Sequence, residues 1–196
     1  MKYSQLPADL FKHIQINAGV IATSFTPDTG ELQQSKIVGA TSGGVNFTAT
    51  PTYSDWGEDI DNCPKNMKEL KHIDSWEAKA SGTFVSVAAA TAKLLAAAAD
   101  VAGEKITPRG TLKDSDFSDL WVIGDYSEVN EDGTKGKAGF IAIHLMNALS
   151  TGGFQLQTGD KSKGQFSFEF TGHYSMEAPE KVPFELYIKQ GTADAA

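Results

Sequence analysis

The alternation of apolar and polar residues is strongest between residues 138 and 174, and we expect the rest of the chain to pack around this segment. Residues 165–171 change character at every position. Phe166, Phe168 and Phe170 share one face, and the other face carries Gln165, Ser167, Glu169 and Thr171. Because side chains in a strand point to opposite faces in turn, this pattern predicts a strand with one buried and one solvated side.

Residues 138–146 are apolar on both faces, which predicts a strand that is buried on both sides. One face would carry Ile141, Ile143 and Leu145, and the other Phe140, Ala142 and Met146. Segments 150–153 and 158–164 are rich in turn-forming residues, and a short strand fits residues 154–157 between them. Together these segments predict an antiparallel meander.

Shorter runs elsewhere raise the predicted total to eight to ten strands. They cover residues 13–22, 36–41, 45–50, 76–82, 120–126 and 184–189. A bulge or bend is expected at residues 42–44, and the last strand should turn Phe184, Leu186 and Ile188 inward.

One helix is predicted over residues 86–102. Ser86 is a suitable N-cap, and apolar or small residues recur at helical spacing from Val87 to Val101. The segment is rich in alanine, the best helix former, and Gly103 would end the helix.

Residues 51–74 show no periodicity and are predicted to form a long irregular loop. Irregular loops of this length within a domain are usually functional or disordered. The loop contains Trp56, and tryptophan is enriched at protein interfaces. Trp56 could therefore make an intermolecular contact, or it could pack back on the core of its own domain.

The chain is long enough for one domain, which we place at residues 13–190, with an N-terminal arm at 1–12 and a flexible C-terminus at 191–196. The net charge of −8 disfavours a surface that binds nucleic acid. No secretion signal and no membrane-spanning run is recognisable.

No catalytic arrangement is recognisable, so we expect no enzymatic activity and no cofactor. The nucleotide-binding glycine motifs and the nucleophile-elbow motif are absent from the sequence. The single cysteine, Cys63, lies among acidic residues that would not activate it. His144 and His173 could meet as a two-ligand metal site, but half-buried strand positions are the expected role.

Two acidic clusters only partly match a calcium-binding loop. They consist of Asp55, Asp59 and Asp61, and of Asp114, Asp116 and Asp119. Both lack the glycine and closing glutamate spacing that such a loop needs, so solvated acidic segments are expected.

The order of these segments resembles the major tail protein, or tail tube protein, of long-tailed bacteriophages. The resemblance rests on residues 38–47, 56–59, 76–82, 139–148, 164–174 and 182–188, together with the single alanine-rich helix. It spans roughly residues 14–190. It implies an antiparallel β-sandwich or barrel with one flanking α-helix, the phage tail-tube fold.

The resemblance also implies a function. Six copies would form a ring whose inner strands join into a barrel, and rings would stack into the virion's tail tube, assembled in the host bacterial cytoplasm. Its partners would be other copies of itself, the tape-measure protein, the tail terminator and the tail-tip or baseplate proteins. DNA would pass through an acidic lumen without specific binding, and no membrane would be involved.

Site residues follow from the same resemblance. The loop 51–74 would reach the neighbouring ring, with inter-subunit contacts at Tyr53, Trp56, Glu58, Asp59 and Asp61. Candidates for the lumen face are Ser167, Glu169 and Thr171.

Two alternatives stay open at this point. One is the inner-tube protein of a contractile tail or a bacteriocin-like injection machine, which would share the fold. The other is a monomeric β-sandwich that binds a ligand, which would need exposed aromatic residues on one face, whereas Trp56, Trp76 and Trp121 fall in separate elements.

Overall fold

The computed structural model describes residues 18–125 and 139–189 and shows a mainly β, antiparallel protein in these ranges. The elements are β1 (Val20–Ala22), β2 (Thr41–Asp55), β3 (Lys71–Phe84), α1 (Ala89–Leu95), β4 (Ala99–Ala102), β5 (Lys105–Pro108), β6 (Ser118–Asp125), β7 (Phe140–Ser150), β8 (Phe166–Thr171) and β9 (Phe184–Lys189). The predicted fold class is confirmed at this level, with nine strands and one α-helix in the described ranges.

β7 is the strand to which most of the sheet is attached. The strand order is β1-β6-β7-β8-β3-β2, and β9 also pairs with β7, while β4 and β5 form a separate hairpin. β7 pairs with β6 and β9 along most of its length and reaches β8 only through Leu149 and Ser150. This change of partner follows Asn147, whose φ is 47° and whose backbone N–H donates to the Asp119 carboxylate at 3.0 Å.

The core consists of two clusters on opposite faces of β7. The larger cluster contains Leu145 and Ala148 from β7, together with Phe168 and Phe170 from β8. The smaller one contains Phe140 and Ala142, which pack with residues of β1 and β6. The prediction of a strand buried on both faces is therefore confirmed. The alternation in β8 is confirmed too, since Phe168 and Phe170 are buried and Ser167 is exposed.

The predicted helix over residues 86–102 is wrong in its extent. α1 covers Ala89–Leu95, and its N-cap is Ala88 instead of Ser86. Ala97 adopts a positive φ of 58°, and the chain then enters the β4–β5 hairpin. The hydroxyl of Ser86 instead accepts a hydrogen bond from the backbone N–H of Ala40. Alanine favours a helix only weakly, so tertiary pairing can override it.

The predicted irregular loop over residues 51–74 is also wrong in its extent. Its first five residues belong to β2 and its last four to β3, so only residues 56–70 connect the two strands. The two ends pair across the hairpin, from Pro51 opposite Trp76 to Asp55 opposite Lys71. The predicted bulge is confirmed, because the register shifts between Thr41 and Val45.

Three smaller strand predictions need correction. Leu186 and Ile188 in β9 are 55% and 61% exposed, because the larger cluster ends at Phe184. In residues 154–157 only Gln157 forms a β-bridge, with Gln165. Residues 36–40 carry no strand, although Ile37 bridges to Ala22.

Some predictions fall outside the described residues. They are the N-terminal arm at 1–12, residues 13–17 of the first predicted strand and the C-terminus at 191–196.

Gly172 tests the packing between β7 and the segment before β9. A Cβ atom at this position would lie 2.6 Å from Leu145 Cδ1 and 3.0 Å from the Pro183 carbonyl oxygen. The Leu145 side chain can move, but the Pro183 carbonyl belongs to the backbone. The close contact with the carbonyl can therefore be relieved only by moving the main chain. We expect Gly172→Ala to lower the free energy of unfolding by about 1–3 kcal/mol, measured by denaturant titration.

Gly110→Ala is the matched control, since a Cβ atom there would meet no atom of the described residues within 4 Å. Equal denaturation midpoints for the two variants would contradict the packing described for Gly172.

Candidate interaction surface

The β2–β3 hairpin projects beyond the rest of the sheet. β8 pairs with β3 only from Lys79 to Phe84, and further contacts reach Trp76, whose backbone N–H donates to the Tyr174 hydroxyl at 2.8 Å. Beyond this point β3 pairs with β2 alone among the described residues, and residues 71–75 are all exposed. The end of the hairpin is therefore a free two-stranded ribbon, which residues 56–70 close. We use the term hairpin tip for these residues together with the adjoining residues of the ribbon.

Asp55 orders the hairpin tip. Its two carboxylate oxygens accept hydrogen bonds from the backbone N–H groups of Asn66 at 2.8 Å and Gly57 at 3.0 Å. These bonds, with that from Asn66 the larger influence, hold the pKa of Asp55 below its ordinary value. The tip also closes through the N–H of Trp56, which donates to the Leu70 carbonyl at 3.0 Å.

Gly57 allows the tip to pack on itself. It is buried, and a Cβ atom there would lie 2.9 Å from Leu70 Cδ1 and 3.1 Å from Cys63 Sγ. Cys63 also contacts the Met67 sulfur at 3.6 Å. The tip is thus a folded loop with a small interior of its own.

Large apolar side chains remain on the outside of this folded tip. Tyr53 is 53% exposed and Trp56 is 63% exposed. The Trp56 ring stacks on His72 at 3.8 Å, and Lys71 Nζ lies 5.3 Å from the centre of the Tyr53 ring. These neighbours belong to the same ribbon, so they hold the aromatic rings in place without burying them. Trp56 does not pack on the core of the domain.

The structure places all five predicted contact residues on or beside the tip. Tyr53 lies in β2, Trp56 directly follows it, and Glu58, Asp59 and Asp61 are exposed in the loop. Their predicted contact with another subunit remains a prediction.

Sequence reasoning missed three apolar residues of the same surface: Ile60, Met67 and Ile73. Ile60 carried a signal, because an isoleucine between Asp59 and Asp61 has no hydrophobic neighbour in the sequence with which to share a buried face. Ile73 carried none, since it lies in a segment whose β character depends on pairing with β2.

The predicted lumen residues lie together on one polar face of the sheet. On β8, Glu169 accepts a hydrogen bond from the Thr151 hydroxyl at 2.9 Å, and the same hydroxyl lies 2.9 Å from that of Thr171. Cross-strand partners extend the polar face onto β3 and β2. This extension comprises Lys79, Ser81, Thr83, Asn46 and Thr48.

The charges on this polar face nearly cancel. Lys79 forms an ion pair with Glu77 at 2.6 Å, a contact that raises the pKa of Lys79. Glu169 is the remaining carboxylate, so Glu77, Lys79 and Glu169 give a net charge of −1 at neutral pH.

The residues considered as metal ligands have separate partners. His144 stacks on Trp121 and lies 3.1 Å from Asp119, whereas His173 contacts the Asn147 carbonyl at 3.1 Å. In the parts of the chain that the structure describes, no three His, Cys, Asp or Glu side chains are grouped so that they could hold a metal ion.

The acidic clusters are likewise divided among protein partners. Asp116 is buried and accepts two hydrogen bonds from Arg109, at 2.6 and 2.7 Å, and one from the backbone N–H of Lys113. The Lys113 bond, followed by the Arg109 bonds, lowers the pKa of Asp116. Asp55 is engaged by the backbone of the hairpin tip. Both carboxylates therefore have structural roles.

No protein-family model matches the chain, and no curated protein sequence matches it.

Within residues 18–125 and 139–189, none of the helices has the length and apolar character needed to span a membrane.

The order of the tip should depend on the ionised form of Asp55. An asparagine has one acceptor oxygen in place of two, so Asp55→Asn should free the amide of Gly57 or Asn66. We expect faster amide hydrogen exchange at these residues at pH 7. Asp61→Asn, in which the altered side chain is exposed and carries no hydrogen bond in the described structure, is the control.

The pH dependence has a definite sign. Because the pKa of Asp55 is lowered in the folded protein, the stability that its ionised carboxylate gives to the tip is fully present above the ordinary Asp pKa of about 3.9. It is lost as the pH falls through the lower, folded value. An Asn66 amide signal that shifts above pH 5 in an NMR titration would contradict this role.

Proposed function

We propose that this chain is a structural protein that assembles with copies of itself into stacked rings, forming the tail tube of a long-tailed bacteriophage. The observation that carries the proposal is the projecting β2–β3 hairpin, whose tip exposes Tyr53, Trp56 and Ile60. Exposed clusters of large apolar residues often mark sites of protein association. A tip of this kind is suited to axial contacts between rings.

The open edges of the sheet support lateral association. β2 lies at one end of the strand order and has no strand on its outer side among the described residues, and β9 pairs with β7 alone. An uncovered edge strand as long as β2 is an aggregation hazard unless it is paired or protected. Edge pairing in a closed ring, with six copies as the resemblance implies, would remove this hazard.

The exposed side chains of β9 add to this lateral surface. Leu186 and Ile188 lie directly opposite Ile143 and Ile141 of β7, so they continue the apolar face of the larger core cluster into solvent. A neighbouring subunit would bury them.

The polar face that contains Ser167, Glu169 and Thr171 is the candidate wall of the lumen. It is rich in hydroxyl groups and carries a net charge of −1, so it offers no cluster of cations to hold DNA phosphates. In a ring of several copies the negative charge would repeat around the lumen and repel DNA in transit.

The remaining expectations are carried by the resemblance. The partners would be the tape-measure protein, the tail terminator and the tail-tip or baseplate proteins, and the location would be the virion tail after assembly in the bacterial cytoplasm. The role is structural, without enzymatic activity. A contractile tail or a bacteriocin-like injection machine would use the same tube.

The monomeric ligand-binding alternative has less support. Trp121 is buried, and Trp76 packs edge-on against Phe184 at 5.5 Å, so of the three tryptophans only Trp56 is exposed. The tryptophans therefore form no shared aromatic platform.

Negative-stain electron microscopy of the concentrated protein, with light scattering for mass, tests the proposal. We expect rings or hollow tubes. The double variant Tyr53→Ala and Trp56→Ala should keep the wild-type circular dichroism spectrum but lose the tubes, because it removes exposed apolar area from the tip.

The control variant replaces two exposed apolar residues outside the hairpin, Leu112 and Phe154, with alanine. It should assemble as the wild type does. A wild-type chain that stays monomeric, even when tail-tip complexes are added as initiators, would refute the tail-tube proposal.

A further inference from the structure

A groove lies at the base of the β2–β3 hairpin, at the end opposite the tip. One wall is α1 with the residues that flank it, and the other is the chain before β2. Its volume is about 410 Å³, and its apolar lining includes Ile37, Val38, Ala90 and Leu94. The Thr91 hydroxyl donates to the Val38 carbonyl at 2.6 Å and joins the two walls. The groove is thus a formed feature with fixed sides.

Each wall of this groove carries one lysine. Lys36 lies on the wall before β2 and Lys93 on the α1 wall. Neither has a carboxylate within 4.0 Å among the described residues. Asp116 also lines the groove; its carboxylate is engaged by Arg109 and by the backbone of Lys113, and the charge of Lys93 is close enough to contribute to its lowered pKa. The groove therefore combines apolar lining residues with one lysine on each wall.

The hairpin tip carries an arrangement complementary to the groove, an apolar side chain between negative charges. Ile60 is 53% exposed and stands between Asp59 and Asp61, both of which are exposed and have no ion-pair partner in the described structure. Glu58, just before them, has one distant partner, Lys65 at 3.9 Å. An apolar residue between two carboxylates without ion-pair partners matches an apolar groove with a lysine ammonium group on each wall.

A tip cannot reach the groove of its own chain. β3 runs from the tip at Lys71 to the base at Phe84, and 14 extended residues span about 45 Å. The groove and the tip are therefore two different surfaces at opposite ends of one hairpin. Contacts between two different surfaces are heterologous, and when they do not close they produce open polymers with a direction.

We propose that residues 59–61 of one copy dock in the groove between α1 and residues 35–38 of the next copy. Ile60 packs against the apolar lining residues of the groove, and Asp59 and Asp61 form ion pairs with Lys36 and Lys93. This inference rests on the proposed self-assembly and names the surface that receives the tip.

Disulfide trapping tests the contact directly. Cys63 is the only cysteine, so Cys63→Ala gives a background without thiols. One chain then carries Glu58→Cys at the tip, and a second chain of different tagged mass carries Ser35→Cys in the groove. After mixing and mild oxidation, we expect the mixed dimer at least about tenfold above the control, because docking raises the effective thiol concentration.

The control pairs the same tip variant with Ser162→Cys, an exposed serine in the loop between β7 and β8. A mixed dimer no more abundant than with this control would overturn the inference.

Charge reversal provides the second test. Lys36→Glu with Lys93→Glu should reduce trapping, because it places like charges against the tip. Asp59→Lys with Asp61→Lys in the tip chain should restore it by exchanging the signs. Reversal of Lys105 and Lys163, which lie outside the groove, should leave trapping unchanged. A failure of the exchanged pair to restore trapping, with both chains folded, would count against the pairing.

The two proposals fail in different ways. Tubes without trapping between tip and groove overturn the docking contact and leave the tail-tube proposal in place. Trapping without rings or tubes supports the contact and overturns the tail-tube proposal. If neither trapping nor tubes are observed, both proposals are overturned.

Discussion

The pairing of β3 is the constraint on which the projecting hairpin and both of its ends depend. Its C-terminal half is fixed between β2 and β8, and Ala78, Ala80 and Phe84 anchor this half in the larger core cluster. Within the part of the chain that the structure describes, its N-terminal half pairs with β2 alone. An isolated two-stranded hairpin is marginal in water, so the free ribbon depends on the buried half for its order. Full burial of a Phe side chain contributes about 1.5–3 kcal/mol, more than a typical backbone hydrogen bond of the ribbon.

This arrangement gives the hairpin two chemically different ends. At the free end, the hydrogen bond from Gly57 to Asp55 and the close packing at Gly57 stabilise the folded tip, in which Trp56 and Ile60 are exposed. At the buried end, the chain before β2 meets α1 and leaves the groove between Lys36 and Lys93. A molecule with unlike surfaces at opposite ends of a stiff element can associate head to tail, and the open edges of β2 and β9 offer sideways contacts. Both kinds of contact are needed to make a stack of rings.

Much of the sheet was predictable, because β7 and β8 have side-chain patterns that burial imposes. The tip was predictable in part. Trp56 stood out as an aromatic residue in an aperiodic segment, but the strands that carry it did not, since residues 71–75 are exposed at every position and show no alternation. The end of α1 was missed because alanine favours a helix locally while β4 and β5 are stabilised by pairing with each other. The groove could not be predicted at all, since it depends on Thr91 meeting Val38, 53 residues earlier.

Cryo-electron microscopy of the concentrated protein with helical reconstruction is the most direct test of end-to-end association through the hairpin. The account predicts a directional stack in which every hairpin points the same way, each tip enters the layer beyond it, and the layer spacing does not exceed the hairpin length of about 45 Å. A closed dimer with twofold symmetry, or a stack in which the hairpin tips remain in solvent, would contradict it.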